Sequence, residues 1–385
     1  MIELLQKLGY CPTFCVWELT LACNLRCTHC GSYAGACRED ELSLEECCRV
    51  ADELASLGCE RVTLSGGEPT LFAHWHELAR HLTDLGVGVN ILSNGWSWTD
   101  EHLRQAQDAG LTNLAFSLDG LETVHDSIRR EGSYDRLMDA IDRSVAAGWR
   151  VAIATHIHRH NRNTLPEIRA LLIDHGVVHW QLQLGVPSGT MSEHPELVID
   201  PEDLLWLVPL IAEMRAGPGS PIEICAAHNI GYYGKWETAL RADGSPLDVW
   251  VGCRAGCQNI GIESNGNIKG CLSLPSAQHG KDVFVEGNIR DESLPELWQR
   301  PDAFTLNRVF DESRLGGFCA ACRYRDLCRG GCAFTAYGNT QNRFDNPYCF
   351  YRQAVRHRRF DLLGDDQPNP RELAWGTLPE RGFIR

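Results

Sequence analysis

Three thiols lie within eight residues in Cys23-Asn24-Leu25-Arg26-Cys27-Thr28-His29-Cys30, just after an apolar run, Phe14 to Leu21, that reads as a buried strand. Cysteines this close on one loop can hold a metal centre with three ligands and leave one position open. A reactive centre needs that open position; a structural zinc knuckle would close it with a fourth ligand from elsewhere in the chain. A second group holds eight cysteines: Cys253, Cys257, Cys271, Cys319, Cys322, Cys328, Cys332 and Cys349. Eight thiols divide into two four-thiolate sites, either zinc ribbons or iron–sulfur clusters. The chain has 18 cysteines in all, and none falls between Cys59 and Cys225. Disulfides are disfavoured in the cytoplasm, so metal or cluster ligation is the natural use of such a density. Cys11, Cys15, Cys37, Cys47, Cys48, Cys59 and Cys225 fit no pattern and read as small buried apolar residues.

The elements that must position the first three thiols alternate between strand and helix from about residue 12 to 216. Short apolar or β-branched runs are Val62 to Leu64, Val87 to Leu92, Leu114 to Leu118, Val151 to Thr155 and Val177 to Leu184. Between them lie helical stretches with start and stop signals: the capping box Ser43-Leu44-Glu45-Glu46, and terminal glycines Gly58, Gly86, Gly110, Gly148 and Gly176. With the strand before Cys23 and a last helix over 200–215, these make six βα units and a parallel sheet, α/β in class. Six units point to a partial barrel, with an open doubly wound sheet as the alternative. In both, reactive residues gather at the carboxyl ends of the strands. The polar residues fall there: the three cysteines, then Ser65-Gly66-Gly67-Glu68-Pro69, Ser93-Asn94-Gly95, Ser117-Leu118-Asp119-Gly120, His156 and His158, and Gln181 and Gln183. His156, His158 and His160 alternate and are expected to share one face. Trp96, Trp98 and Trp180 either shape a cavity or fill the core.

The texture changes at Gly217-Pro218-Gly219-Ser220-Pro221, a linker or tight turn. Asn265-Gly266 between β-branched residues signals a hairpin. The expected division is a barrel over 10–216, a bridging region over 217–252, a cysteine-rich domain over 253–355 and a tail over 356–385, little ordered beyond Asp365. Hydrophobic content of 43% and charged content of 23% are ordinary for a soluble protein of 385 residues. No apolar run is long enough to span a bilayer and the N-terminus carries no secretory signal, so no membrane partner and a cytoplasmic location are expected. A net charge of −15 with no basic patch argues against nucleic acid.

Cys23-x3-Cys27-x2-Cys30 followed by Gly66-Gly67-Glu68 resembles the radical S-adenosylmethionine (radical SAM) enzymes. Gly266-x4-Cys271, then Cys319-x2-Cys322-x5-Cys328-x3-Cys332 and Cys349, resembles the SPASM extension of that superfamily. The resemblance implies a partial (β/α)6 TIM-like barrel with a C-terminal iron–sulfur domain. It implies a [4Fe–4S] cluster on the first three cysteines, with S-adenosylmethionine on its open iron and a 5′-deoxyadenosyl radical as the reactive product. Gly66 and Gly67 would let the backbone approach the methionine part. Glu68, followed by Pro69, would lie near the cationic end, and Asn94, Ser117 and Asp119 near polar groups. His29 stands where Tyr or Phe is common and would pack on adenine; His156 would contact substrate or cofactor, and Arg129 and Arg130, in the loop expected after Asp119, would steady the cofactor carboxylate or lie on the solvated surface. By the same likeness, Cys253, Cys257, Cys271 and Cys332 would ligate one auxiliary cluster. Cys319, Cys322, Cys328 and Cys349 would ligate the other. With neither iron set open, electron transfer suits both.

The resemblance points to a maturase of a ribosomally made precursor peptide that forms an oxidative crosslink, supplied by an external electron donor and served by a separate peptide-recognition protein. Dehydrogenation of a protein side chain is the alternative, although Leu272 stands where the sulfatase-maturing branch places an aspartate. From another class comes a zinc-stabilised binding scaffold without catalysis.

Overall fold

The computed structural model describes residues 9–215, 220–241, 249–275 and 282–376. Seven strands run parallel in unbroken chain order: β1 (Phe14–Glu18), β2 (Arg61–Ser65), β3 (Gly88–Ser93), β4 (Asn113–Ser117), β5 (Val151–Ile157), β6 (His179–Leu184) and β7 (Glu223–Ala226). Across these seven strands the order never reverses, so the βα units have no switch point of the doubly wound kind. That removes the alternative left open by pattern alone. The intervening helices are α1 (Leu44–Ser56), α2 (Trp75–Asp84), α3 (Asp100–Asp108), α4 (Glu122–Ile128), α5 (Ser133–Ala146), α6 (Leu165–Asp174) and α7 (Leu204–Arg215). The buried positions of the strands and of most of the helices meet in one core that includes Trp17, Val62, Leu78, Ile91, Phe116, Ile153 and Leu182. Trp180, with its Nε1 donating to Thr155 Oγ1 at 2.8 Å, and Trp98, stacked on His102 at 5.3 Å, are core residues rather than cavity walls.

The sheet grows beyond six strands at both edges. β7 lies in the stretch expected to be a bridge, while 216–219, with most of the Gly-Pro linker, lie outside the described residues. On the other side β8 (Asn259–Ile262) pairs parallel with β1, and β9 (Asn267–Lys269) and β10 (Val285–Asn288) follow antiparallel. The Asn265-Gly266 hairpin forms as expected, with Gly266 at φ +87°, a left-handed conformation that favours glycine. Because β8 hydrogen-bonds to β1, Cys257 just before it and Cys271 just after β9 are carried on the same sheet as the Cys23 loop.

Two expectations fail. The stretch after Asp119 holds the two-turn helix α4 rather than a loop. The tail is ordered through residue 376: helix Pro370–Gly376 packs back, burying Glu372, which accepts from Arg323 N (2.6 Å), Asn369 N (2.7 Å) and Tyr351 OH (3.1 Å). Trp375 meets the Phe318 ring at 5.3 Å. Residues 377–385 lie outside the described residues.

Candidate active site

The Cys23–Cys30 loop is pinned from around the barrel rim. Cys23 N donates to Gly35 O (3.0 Å), Thr28 N to Ile128 O at the end of α4 (2.9 Å), and Thr190 N to Cys30 O (2.8 Å). Glu41 clamps the segment just before the loop, accepting from Leu21 N at 2.8 Å and from Thr20 Oγ1 at 2.9 Å. Nothing in the local pattern at Glu41 marks this role; the two partners it clamps are 20 residues away or more, and its local donor is Arg38 N at 3.1 Å.

The Gly66-Gly67 turn packs against the same segment. Gly67 N donates to Thr20 O and Glu68 N to Ala22 O, both at 2.8 Å. A Cβ on Gly67 would stand 2.2 Å from Ala22 O, and one on Gly66 2.4 Å from Thr20 O. The close approach that demands glycine is therefore made to the chain itself. Glu68 is buried and its carboxylate is spent on the rim: it accepts from Ser93 Oγ (2.9 Å), Asn94 N (2.8 Å) and Thr70 Oγ1 (2.7 Å). Pro69 opens the short 3-10 turn Pro69–Leu71 that Glu68 caps. Asn94, so fixed, points Nδ2 at Asn24 Oδ1 (2.8 Å) and toward Cys23 Sγ (3.8 Å).

Asp119 is the hub of the rim. It is 1% exposed, and Oδ2 meets His29 Nε2 at 2.8 Å and Arg129 Nη2 at 2.6 Å, while Oδ1 accepts from His156 N at 2.8 Å. Burial alone would lift its carboxyl; the Arg129 guanidinium and His29 overcome that and hold it well below the usual carboxylate range. Arg129 does not lie on the solvated surface: its side chain is 10% exposed. It sits by Asp119 and the thiols Cys27 and Cys23, whose combined pull outweighs its desolvation and raises its affinity for a proton. Burial pushes the Cys27 thiol up to about 11, with Arg129 working in the opposite direction. Arg130 does lie on the surface, donating to Asn24 O at 3.2 Å and covering Trp96 at 4.0 Å.

Four histidines crowd this hub. His29 meets His156 edge-on at 5.3 Å and His158 at 6.5 Å. His158 Nε2 faces Asp119 O at 3.1 Å, and His125 Nδ1 accepts from Asp119 N at 3.2 Å. The expected shared face of three alternating histidines stops where β5 ends at Ile157, so His160 is exposed in the following turn. His125 and Asn161, which donates to Asp119 O (3.0 Å) and His156 O (2.7 Å), were not singled out by pattern. Ser117 ends β4, half-buried, two residues before Asp119.

Burial holds His125 and His156 down to about 3 and His158 to about 4. Each is neutral in the fold and takes up a proton on unfolding below its ordinary value of about 6.5. Their stabilisation is complete above that pH and is lost as pH falls toward the folded values. The unfolding free energy of the cofactor-free protein, and with it the urea midpoint, is expected to drop between about pH 6.5 and pH 5, the free energy by at most about 1.4 kcal/mol per pH unit for each histidine. A midpoint flat over that range would mean that the three are charged in the fold.

The eight later cysteines separate by their electrostatic neighbours. Burial, then Cys253, then Cys271 push the Cys332 thiol up to about 12; Cys257 reaches about 12 through burial and Cys253. Cys271 is raised by burial and by Cys253. The other four answer to one another: Cys322 is raised by burial, Cys349, Cys328 and Cys319, and Cys328 by burial, Cys349 and Cys319. Cys349 reaches about 12 through burial, with Cys319 adding to it. Two sets of soft donors, Cys257 buried and the other seven half-buried, suit thiolate-ligated clusters, whose binding would release the thiol protons to solvent. Among the unassigned cysteines, Cys15, Cys47 and Cys59 are core residues as expected, whereas Cys11, Cys48 and Cys225 are half-buried and Cys37 is exposed.

Residues 17–172 match the family model of the radical SAM superfamily, and residues 253–323 match that of SPASM, an iron–sulfur cluster-binding domain. The mycofactocin maturase MftC of Mycolicibacterium smegmatis is 31% identical over 340 residues, 86% of this chain and 81% of that protein. The AdoMet-dependent heme synthase of Methanosarcina barkeri is 29% identical over 354 residues, 89% of this chain and 97% of that protein. In fold, the chain is similar to Streptococcus suis SuiB bound to S-adenosylmethionine, with a TM-score of 0.69 at 18% identity over 89% of this chain and 79% of that one. It is likewise similar to anSMEcpe with bound AdoMet, with a TM-score of 0.67 at 16% identity over 92% and 99%. The chain belongs to the radical SAM superfamily, an enzyme family whose domain implies a [4Fe–4S] cluster and S-adenosylmethionine, and it carries a SPASM domain that binds auxiliary iron–sulfur clusters.

Proposed function

We propose that this enzyme is a maturase of a ribosomally made precursor peptide, removing hydrogen from the peptide and joining two positions in an oxidative crosslink. The observation that carries the reading is the division of the eight later cysteines, Cys257 buried and the other seven half-buried, into two sets of electrostatic neighbours, with Cys257 and Cys271 on the same sheet as the Cys23–Cys30 loop. A crosslink leaves the peptide two hydrogens poorer, a net oxidation, and closed clusters that only carry electrons suit that surplus. The 31% identity to a mycofactocin maturase supports a peptide substrate.

In this reading Cys23, Cys27 and Cys30 hold the reactive cluster; Cys253, Cys257, Cys271 and Cys332 hold one auxiliary cluster; Cys319, Cys322, Cys328 and Cys349 hold the other. When bound, the reactive cluster and S-adenosylmethionine supply a 5′-deoxyadenosyl radical able to take hydrogen from an unactivated C–H bond. The chain's own residues position and shield. Glu68 fixes Asn94 beside Cys23, and Asp119 fixes His29, within the thiol loop, and the His156 backbone. Arg129 supplies a buried positive charge next to Cys27 that offsets the negative charge of thiolate ligands. Gly66, Gly67, Pro69 and Ser117 shape the rim on which the cofactor lies. An external electron donor, and a separate peptide-recognition protein, complete the system.

A second reading, radical chemistry on an iron porphyrin, is favoured by one finding: the chain covers 97% of a heme synthase at 29% identity. One experiment separates the two. Anaerobically reconstituted, reduced protein is given S-adenosylmethionine with either a candidate precursor peptide or iron coproporphyrin, and products are weighed by mass spectrometry. A peptide two hydrogens lighter that retains both linked residues supports the maturase. Porphyrin conversion, with peptide unchanged, replaces that reading with the second.

A further inference from the structure

Arg343 is 6% exposed, though it carries a full charge. Its Nη2 donates to Asn307 Oδ1 at 2.8 Å, and Asn307 Nδ2 donates to Ala255 O at 2.9 Å, between Cys253 and Cys257. Its Nη1 donates to Arg329 O at 2.9 Å, within the turn that runs from Cys328 to Cys332. One guanidinium thus ties together two loops that carry thiols of both groups. Its Nε is buried without a hydrogen-bond partner, and the Phe344 ring lies 5.1 Å from its carbon.

A guanidinium this deep needs a counter-charge. The nearby Arg352 has one, Asp345 at 2.6 Å. For Arg343 burial works against the cation, and the strongest groups that favour it are thiols: Cys253 and Cys332 of one group, Cys328 and Cys319 of the other. The turn leaves little slack, since a Cβ on Gly330 would lie 3.1 Å from Nη1. A fixed positive charge in a dry interior stabilises the more negative, reduced form of any cluster within reach.

We propose that Arg343 is the shared counter-charge of the two auxiliary clusters and raises both of their reduction potentials together. It is a positioning residue that acts through the clusters, and this inference rests on the ligand reading given above. A residue serving only to brace the loops would hold iron in place without moving the potentials.

The test uses the full chain with Cys23, Cys27 and Cys30 changed to alanine, so that only the auxiliary sites bind iron. That background should carry about eight irons in two clusters, and redox titration followed by electron paramagnetic resonance then reads both. Arg343→Met is expected to keep the iron and make reduction of both clusters at least about tenfold less favourable, a fall of about 59 mV for a one-electron couple. Arg343→Lys, which keeps the charge, should return both potentials toward the parent's. Full iron with neither or only one potential moved in Arg343→Met overturns the proposal while leaving the ligand reading intact. If Arg343→Met loses iron, Arg343→Lys decides: iron retained at parental potentials supports the shared charge, and iron lost as well assigns a bracing role and overturns it. Zinc in place of iron in the background protein overturns the ligand reading and the proposal together.

Discussion

Changing Cys27 to alanine is expected to end cofactor cleavage while leaving the auxiliary clusters in place. Cys27 sits between Cys23 and Cys30 in a loop held at both ends by backbone bonds that do not involve its side chain. The loop should keep its course, and the core beneath it, Trp17 and Leu64 included, is untouched. What is lost is one of three ligands, and two cannot hold a cubane firmly. Iron should fall from about twelve to about eight per chain. Formation of 5′-deoxyadenosine should drop at least about a thousandfold, about 4 kcal/mol in barrier terms. Cys319→Ala is the matching control: it should lose about four irons as well, yet still cleave the cofactor when no substrate is present.

Replacing Asp119 with leucine should give the largest loss of stability of any single change on the rim. Three groups lose their acceptor at once: the Arg129 guanidinium, His29 Nε2 and His156 N. Arg129 is left buried without a carboxylate, and removing one partner of a buried pair typically costs about 3–5 kcal/mol. Chemical denaturation of the cofactor-free protein measures this directly. Adding Arg129→Met to the leucine variant should recover much of the loss, because the uncompensated charge goes with it. Recovery of stability without recovery of cofactor cleavage would locate Arg129's contribution beside the thiols rather than in the core. A leucine variant as stable as the parent would mean that Arg129 finds another counter-charge.

The six barrel strands were legible because each is a short apolar run closed by a polar turn, and five of the helices because a glycine follows each: Gly58, Gly86, Gly110, Gly148 and Gly176. Leu44–Ser56 even begins with the capping box its sequence spells out. The strands at the sheet edges were harder. Glu223–Ala226 is only four residues, and half its positions face outward, so it carries no period that stands out from a loop. Its identity comes from pairing with β6, a long-range fact. Helix Glu122–Ile128 was hidden for a similar reason: two turns with a leucine rather than a side-chain cap at the start leave no local signal. The tail looked disordered because proline and charge dominate it. Glu372 and Trp375 are buried only because the cysteine-rich domain offers them Arg323, Tyr351 and Phe318.

At the site, the place of the candidate residues on the rim was legible and their partners within the chain were not. Asp119, Glu68 and the two glycines stand on the rim as their place after a strand requires. Their polar atoms, however, are used within the chain: Glu68 on Ser93 and Asn94, Asp119 on His29, Arg129 and His156. Those partners come from up to 90 residues away in sequence, as with His29 and Asp119, and spacing cannot show them. The rim is a scaffold for the thiol loop before it is a surface for a ligand.

The account turns on a cluster held by three thiols with one iron open. Electron paramagnetic resonance of the reduced, reconstituted Cys319→Ala protein, recorded with and without S-adenosylmethionine, tests it most directly. The signal of the cluster at Cys23, Cys27 and Cys30 should change when the cofactor is added, and the change should be absent when Cys27→Ala is introduced as well. A cluster signal at that triad that is indifferent to the cofactor would show the fourth iron already ligated and contradict the account.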